Sequence, residues 1–252
     1  IAVNALGYNH PAIRETIQKQ SAELIHTSNL FYTQNQVALA KMLADHSELD
    51  CAFYCNSGAE ANEAAIKLAR KWGKGRYEIV TALQSFHGRT LAAITATGQA
   101  KYQKGFEPMP QGFNYVPYND LDAIRSAITP NTVAIMLEAV QGEGGIRVAD
   151  PDYLKGVETL CKEHNLLLMF DEVQAGMGRT GKLFAYEHFD MAPVAHPKRV
   201  PPIQLAPGRA GHEWRAVIFD NGTFEVRAVP VFAHDALDVF RRCLERPDVA
   251  HG

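Results

Sequence analysis

The sequence predicts an α/β fold, a mostly parallel sheet flanked by helices, and three observations carry that prediction. Over residues 1–193, stretches with helical spacing of apolar residues alternate with short apolar runs, the rhythm of strands joined by helical crossovers. The run Cys51 to Cys55 ends abruptly at Asn56-Ser57-Gly58, where a helical pattern through Ala61, Ala64, Ala65, Leu68 and Trp72 takes over. This reads as strand, tight turn, helix. Further on, Val133 to Leu137, a helix opened by Asp150-Pro151 that carries Leu154, Val157 and Cys161, and the run Leu166 to Phe170 follow one another. Both runs are continuously apolar, as strands buried on two faces must be, so together they form a βαβ unit.

The remaining elements follow in order. Asn9 and Pro11 open a first helix with apolar positions Ile13, Ile17 and Leu24, since proline suits the first helical turn. A second helix runs through Val37, Ala40 and Leu43. Tyr77 to Ala82 is strand-like, and a small-residue helix from Leu91 to Thr97 follows the motif Phe86-His87-Gly88-Arg89-Thr90. After Pro193 the rhythm stops: residues 194–252 hold a single lysine, Lys198, and six of the thirteen prolines. The chain therefore divides into residues 1–193 and a tail, 194–252, with no assigned role. A hairpin, Ala216 to Phe219 and Phe224 to Val229 around Asn221-Gly222, and a helix with Leu237, Phe240 and Leu244 are expected within the tail. Its prolines and scattered charges leave no continuous apolar face outside the hairpin, so it is expected to pack poorly on the rest.

Bulk properties narrow the function classes. A chain of 252 residues with 46% hydrophobic content can bury a core. The formal net charge of -3, with interspersed signs, gives no basic stripe and argues against nucleic acid as a partner. No apolar run is long enough to span a bilayer. Cys51, Cys55, Cys161 and Cys243 lack metal-site or redox spacing and read as reduced thiols of a cytoplasmic protein. The start Ile1-Ala2-Val3-Asn4 has neither methionine nor signal-like pattern, so the chain is expected to be a fragment.

In open α/β sheets ligands gather beyond the carboxyl ends of the strands, and Ser57, Glu138, Asp171 and Glu172 sit at such ends. The segment Asn56 to Ala61 places small residues and bare N–H groups at the first turn of a helix, which favours an anion such as phosphate. It equally reads as a capping box between Ser57 and Glu60, and the two readings are compatible. In the Phe86 to Thr90 motif a flat side chain could cover a planar cofactor and Arg89 could clamp a carboxylate, against a plain loop with a core phenylalanine and a surface arginine. Asp171 ends an apolar strand, where a carboxylate needs a partner: a protonated ring nitrogen, a helix cap or a salt bridge. The loop Glu138 to Gly145 has glycines for tight turns, and Glu143 either points into a site or lies in solvent. Gly176 to Gly181 satisfies the dinucleotide G-x-G-x-x-G pattern but begins five residues past Asp171 instead of directly after a strand, and so fails on context.

Five motifs in order resemble the class III, ornithine-type, pyridoxal-phosphate (PLP) aminotransferases of fold type I. They are Asn4 to Gly7 with His26 to Leu30, Asn56 to Arg70, Phe86 to Thr90, Gln141 to Gly145 and Asp171 to Gly181. Within the class the wording is most similar to the acetylornithine branch. The resemblance implies that residues 1–193 are an incomplete fold type I large domain with pyridoxal 5'-phosphate as cofactor. Ser57, Gly58 and Ala59 would hold the phosphate, Phe86 would stack on the ring with His87 beside it, Asp171 would pair with the pyridine nitrogen, and Gln174 would contact the ring hydroxyl. Arg89 would bind the substrate α-carboxylate, and Glu143 would sit in the part of the pocket that switches between amino donor and 2-oxoglutarate. It further implies a cytoplasmic homodimer in arginine biosynthesis that takes a small amino acid and a 2-oxo acid.

One departure concerns the Schiff-base lysine, which the family places in a Lys-Ala-Leu-Gly-Gly-Gly stretch. Carried forward without gaps, the register puts it at Val200, and no such stretch occurs. Lys198 is the candidate nearest in sequence, set in His196-Pro197-Lys198-Arg199 with Pro201-Pro202 behind it; its other reading is a solvated basic loop. Beside the enzyme reading therefore stands a second, a non-catalytic truncated or chimeric remnant.

Overall fold

The chain begins with two helices, α1 (Pro11–Glu23) and α2 (Gln34–Asp45), and then a third, α3 (Gly58–Trp72). There follow β1 (Glu78–Ala82), α4 (Leu91–Ala96), α5 (Ala100–Gln103), β2 (Phe113–Val116), α6 (Leu121–Ala127) and β3 (Thr132–Leu137). After a small antiparallel pair, β4 (Val140–Gln141) and β5 (Arg147–Val148), come α7 (Pro151–His164), β6 (Leu167–Asp171), a 3₁₀ turn (Ala185–Phe189) and β7 (Thr223–Val226). The computed structural model describes residues 5–28, 31–47, 52–189, 191 and 223–226. One sheet has the order β2-β1-β3-β6-β7, and every neighbouring pair in it is parallel.

Burial follows the two-residue period of the strands. In β3, Ile135 and Leu137 face one core with Leu154, Val157, Leu160 and Cys161 of α7 and Ile124 of α6. Ala134 and Met136 face the other core, against Ala61, Ala65, Ile66 and Ala69 of α3. Both faces of the central strands are covered, which is why their sequences are apolar throughout and not alternating. The small side chains along α3 let its backbone lie close to the sheet, and this fixes where its first turn ends up. Among the described residues no helix is long and apolar enough to cross a membrane.

The βαβ unit from β3 through α7 to β6 forms as its pattern predicts, with Ala134 beside Leu167 and Leu137 beside Phe170. Two local expectations do not hold. His10, not Asn9, caps α1, its ring nitrogen accepting from the Ala12 N–H. Residues 52–55, expected as a strand, carry no ladder. Tyr54 instead donates its hydroxyl to the Gln36 carbonyl on α2, and the Cys55 thiol donates to the Ser57 carbonyl. An apolar run becomes a strand only where a neighbouring strand supplies partners. Four tail residues do pair with the core, since β7 lies parallel beside β6 with Asp171 opposite Val226. The other arm of the expected hairpin, the tail helix and Lys198 lie outside the described residues.

Candidate active site

The first turn of α3 begins at the Ser57 cap. Ser57 Oγ accepts from the Glu60 N–H at 3.2 Å, and the Glu60 carboxylate reaches back to the N–H of Asn56, the residue before the cap, at 2.7 Å, so a variant of the capping box forms. It leaves the N–H groups of Gly58 and Ala59 in the turn where a helix has no acceptors of its own. The turn is also tightly surrounded. A Cβ on Gly58 would lie 2.8 Å from Val173, and one on Gly88 would lie 2.8 Å from Ala59. The cap thus leaves room for an anion at these N–H groups, and the segments carrying Ser57 to Ala59, Gly88 and Val173 meet at one sheet edge.

Asp171 closes β6 at that edge and is 5% exposed. Its Oδ2 accepts from Asn62 Nδ2 at 2.8 Å and lies 2.8 Å from His87 Nδ1, while Oδ1 accepts from the Val173 N–H at 3.0 Å. On the far side of the imidazole, His87 Nε2 lies 3.3 Å from Thr81 Oγ1, whose own proton goes to the Ala96 carbonyl at 3.0 Å. Thr81 can accept from the ring on its far side while Asp171 accepts on the near side, an arrangement that favours a proton on His87. Burial alone would pull the His87 pKa down; the hydrogen bond to Asp171, with the charges of Asp171 and Glu138, outweighs it and holds the pKa above its ordinary value. The strand end thus carries a buried carboxylate with two donors fixed on Oδ2 and a lone pair left on Oδ1.

Glu138, the polar residue that ends β3, joins the next two loops. Its Oε1 accepts from the Phe86 N–H at 2.9 Å and its Oε2 from the Gly142 N–H at 3.3 Å. Burial first, and the charge of Asp171 second, push its pKa up to about 7 against the lowering effects of His87 and of the two N–H donors. Phe86 is half-buried and meets Tyr102 edge to face, with ring centroids 5.5 Å apart. The Tyr102 hydroxyl donates to Glu143 Oε1, and Gln99 Nε2 donates to Glu143 Oε2 at 2.6 Å. Those hydrogen bonds, from Gln99 first and then Tyr102, hold the Glu143 pKa below its ordinary value, with a smaller effect from Lys101 at 3.9 Å.

The structure thus brings Ser57, Gly58, Ala59, Phe86, His87, Asp171 and Glu143 into one connected group. Gln174 joins it through Gly142, whose added Cβ would lie 3.2 Å from the Gln174 side chain. Arg89 is exposed at the rim. Glu172 is turned away: its two oxygens accept from the Ala185 and Tyr186 N–H groups and cap the 3₁₀ turn. Asn62, Thr81, Gln99 and Tyr102 were not singled out in the sequence. Asn62 had a signal, being an amide on the stripe Ala61, Ala65, Ile66 and Ala69 that α3 buries.

A family profile described as aminotransferase class-III matches residues 1–194. The chain belongs to the class-III aminotransferases. Among curated members, the acetylornithine aminotransferase of Methanocaldococcus jannaschii is 57% identical over 198 residues, covering 77% of this chain and 50% of that protein. That of Caldanaerobacter subterraneus subsp. tengcongensis is 55% identical with the same coverage. The chain spans about half the length of the curated relatives it matches. Two solved aminotransferase structures are similar across nearly all of it. The ornithine aminotransferase of Toxoplasma gondii has a TM-score of 0.79 at 26% identity, covering 97% of this chain and 61% of that one. The N-acetylornithine aminotransferase of Stenotrophomonas maltophilia has a TM-score of 0.70 at 32% identity, covering 96% and 61%. Fold type I is thereby shown, and the cofactor of the class is PLP. The residues present suit that cofactor at three points: first-turn N–H groups for a phosphate, an aromatic side chain for a ring face, and a buried carboxylate for a protonated ring nitrogen.

Proposed function

We propose that residues 1–193 are the cofactor platform of an acetylornithine-type aminotransferase, which passes an amino group from N-acetylornithine to 2-oxoglutarate with pyridoxal 5'-phosphate. The observation that carries this reading is Asp171. A buried carboxylate held by Asn62, His87 and Val173, one turn of α3 away from an anion-binding helix start, is what a phosphorylated pyridine needs at its two ends. Bound there, the cofactor supplies an electron sink for the bond that breaks at the substrate carbon. The residues of this chain bind and orient. Gly58 and Ala59, with Ser57, take the phosphate. Phe86 covers one ring face, and Gln174 meets the ring hydroxyl. Asp171 keeps the ring nitrogen protonated, and His87 and Asn62 behind it hold its carboxylate in place. Arg89 takes the substrate carboxylate, and Glu143, held by Gln99 and Tyr102, faces the donor end of the pocket. The reading extends to a cytoplasmic homodimer in arginine biosynthesis. The names of the curated relatives support the substrate, and exposed apolar side chains such as Tyr32 and Phe31 supply surface for a partner.

The sequence of residues 194–252 favours a second reading for the chain as a whole, a platform without turnover. Covalent capture and proton transfer both need an amine, and Lys198 is the one lysine in that segment. The test is incubation with pyridoxal phosphate, borohydride reduction and peptide mapping. One pyridoxyl group per chain on Lys198 supports a working transaminase. Dialysable binding with label scattered over exposed lysines supports the second reading. A chain that binds no pyridoxal phosphate at all refutes the platform.

A further inference from the structure

Asn62 is 1% exposed and its carbonyl oxygen has no hydrogen-bond partner. A buried acceptor left unsatisfied is costly, and a leucine would fit the same apolar stripe without that cost. The amide must therefore contribute through its other end, and there both protons are committed: Nδ2 donates to the His87 carbonyl at 2.6 Å and to Asp171 Oδ2 at 2.8 Å. These bonds tie three separate pieces of chain together, namely the first turns of α3, the loop after β1 and the end of β6. They also decide how Asp171 presents itself. With Asn62 and His87 both on Oδ2 and the Val173 N–H on Oδ1, the carboxylate cannot turn about its own axis, and the remaining lone pair of Oδ1 is left to meet a ligand. An aspartate in this place would set two carboxylates against each other, and an apolar residue would leave Oδ2 with one donor.

We propose that Asn62 is a positioning residue, which fixes the Asp171 carboxylate so that Oδ1 faces the cofactor's ring nitrogen at a set distance from the phosphate-binding turn. The proposal rests on the cofactor role given to Asp171 above. Asn62 itself touches no part of the cofactor; it makes the helix start and the strand end a single rigid gauge for a ligand with an anion at one end and a ring N–H at the other.

The test uses the full chain and three probes: pyridoxal 5'-phosphate, its deaza analogue with carbon in place of the ring nitrogen, and inorganic phosphate. The unaltered chain should bind pyridoxal phosphate more tightly than the analogue. In N62L that preference should shrink about tenfold, the loss expected for one hydrogen bond to a charged group, while binding of the analogue and of inorganic phosphate stays within about twofold. N62D supplies a second readout. Its protonated acid can donate the missing bond, so it should recover the preference at low pH and lose it again as the acid ionises, judged against the unaltered chain at each pH. Equal weakening of all three probes in N62L, or a preference in N62D that tracks the unaltered chain at every pH, would show a packing role only and overturn the proposal. An unaltered chain that binds no pyridoxal phosphate brings down the cofactor reading and this inference together. An unaltered chain that prefers the natural ring, beside an N62L that prefers it as strongly, overturns the inference alone.

Discussion

Glu138 and His87 both hold a proton more tightly in the fold than in water, so their effects on stability share a sign. A group whose folded pKa lies above its unfolded value stabilises the fold fully below the unfolded value, and that contribution is lost as pH rises through the folded value. For Glu138 the window runs from 4.5 to about 7, because burial and the Asp171 charge disfavour its ionised form. For His87 it begins at 6.5 and extends upward. Glu143, whose pKa is lowered, acts the other way, and its contribution disappears only as pH falls below its ordinary carboxylate value. Resistance to urea should therefore decline from about pH 5 to about pH 8, and E138Q, which resembles the protonated acid, should flatten the lower part of that decline by up to about 3 kcal/mol. Unfolding midpoints of both proteins across the range decide the matter. An unchanged slope in E138Q would mean that Glu138 ionises normally. The sequence marked Glu138 as a strand-end residue without showing its task, because its two partners are backbone N–H groups on separate loops, and backbone leaves no trace in side-chain pattern.

At the level of elements, the loop after β1 and the start of α3 touch at Gly88. Its φ is +127°, and a Cβ there would lie 2.8 and 2.9 Å from Ala59 Cβ and Cα. G88A should cost about 2–4 kcal/mol, since backbone strain and overpacking act together, and it should weaken pyridoxal phosphate binding by displacing Ala59. G75A is the comparison: its φ is +108° with nothing within 4 Å, so only the backbone penalty of about 1–2 kcal/mol remains. Urea titrations that rank the two variants alike would contradict the close approach. Elements were legible where local pattern and tertiary demand coincide. The runs that became β1, β3 and β6 are apolar because helices cover both faces, and α3 and α7 show their period and their cap residues, Ser57 and Asp150. The run 52–55 forms no strand because no ladder partner lies alongside it: Tyr54 donates its hydroxyl to the Gln36 carbonyl of α2, and Phe53 is exposed. Short β2 and α6 escaped notice, having too few residues to show a period. The site residues at helix starts and strand ends were legible from position and resemblance, whereas Asn62, Gln99 and Tyr102 act across 109, 44 and 41 residues of chain, separations that no local pattern displays.

At the scale of the whole molecule, the proposed reading has residues 1–193 bind and orient the cofactor, with the Schiff-base amine coming from the part of the chain that follows them. Joining residues 1–193 to the C-terminal half of a curated acetylornithine aminotransferase should therefore yield a protein with visible cofactor absorbance and measurable amino transfer to 2-oxoglutarate. A soluble, folded chimera that binds pyridoxal phosphate without turnover would place the defect within residues 1–193 instead. The connections made by α3 have a further consequence, for lengths as distinct from identities. Within two turns that helix places the Gly58 and Ala59 N–H groups at its open end, sends Asn62 to Asp171, and sends Glu63 to the Thr90 hydroxyl and the Ala92 and Ala93 N–H groups that begin α4. A helix turns about 100° per residue, so inserting or deleting one residue between positions 58 and 62 would swing every later side chain to a different bearing. Single substitutions remove one contact at a time, but a change of frame there removes all of them together. Insertions and deletions should accordingly be tolerated at places such as the turn at Gly75, beyond the end of α3, where the chain can lengthen without rotating anything that the site depends on.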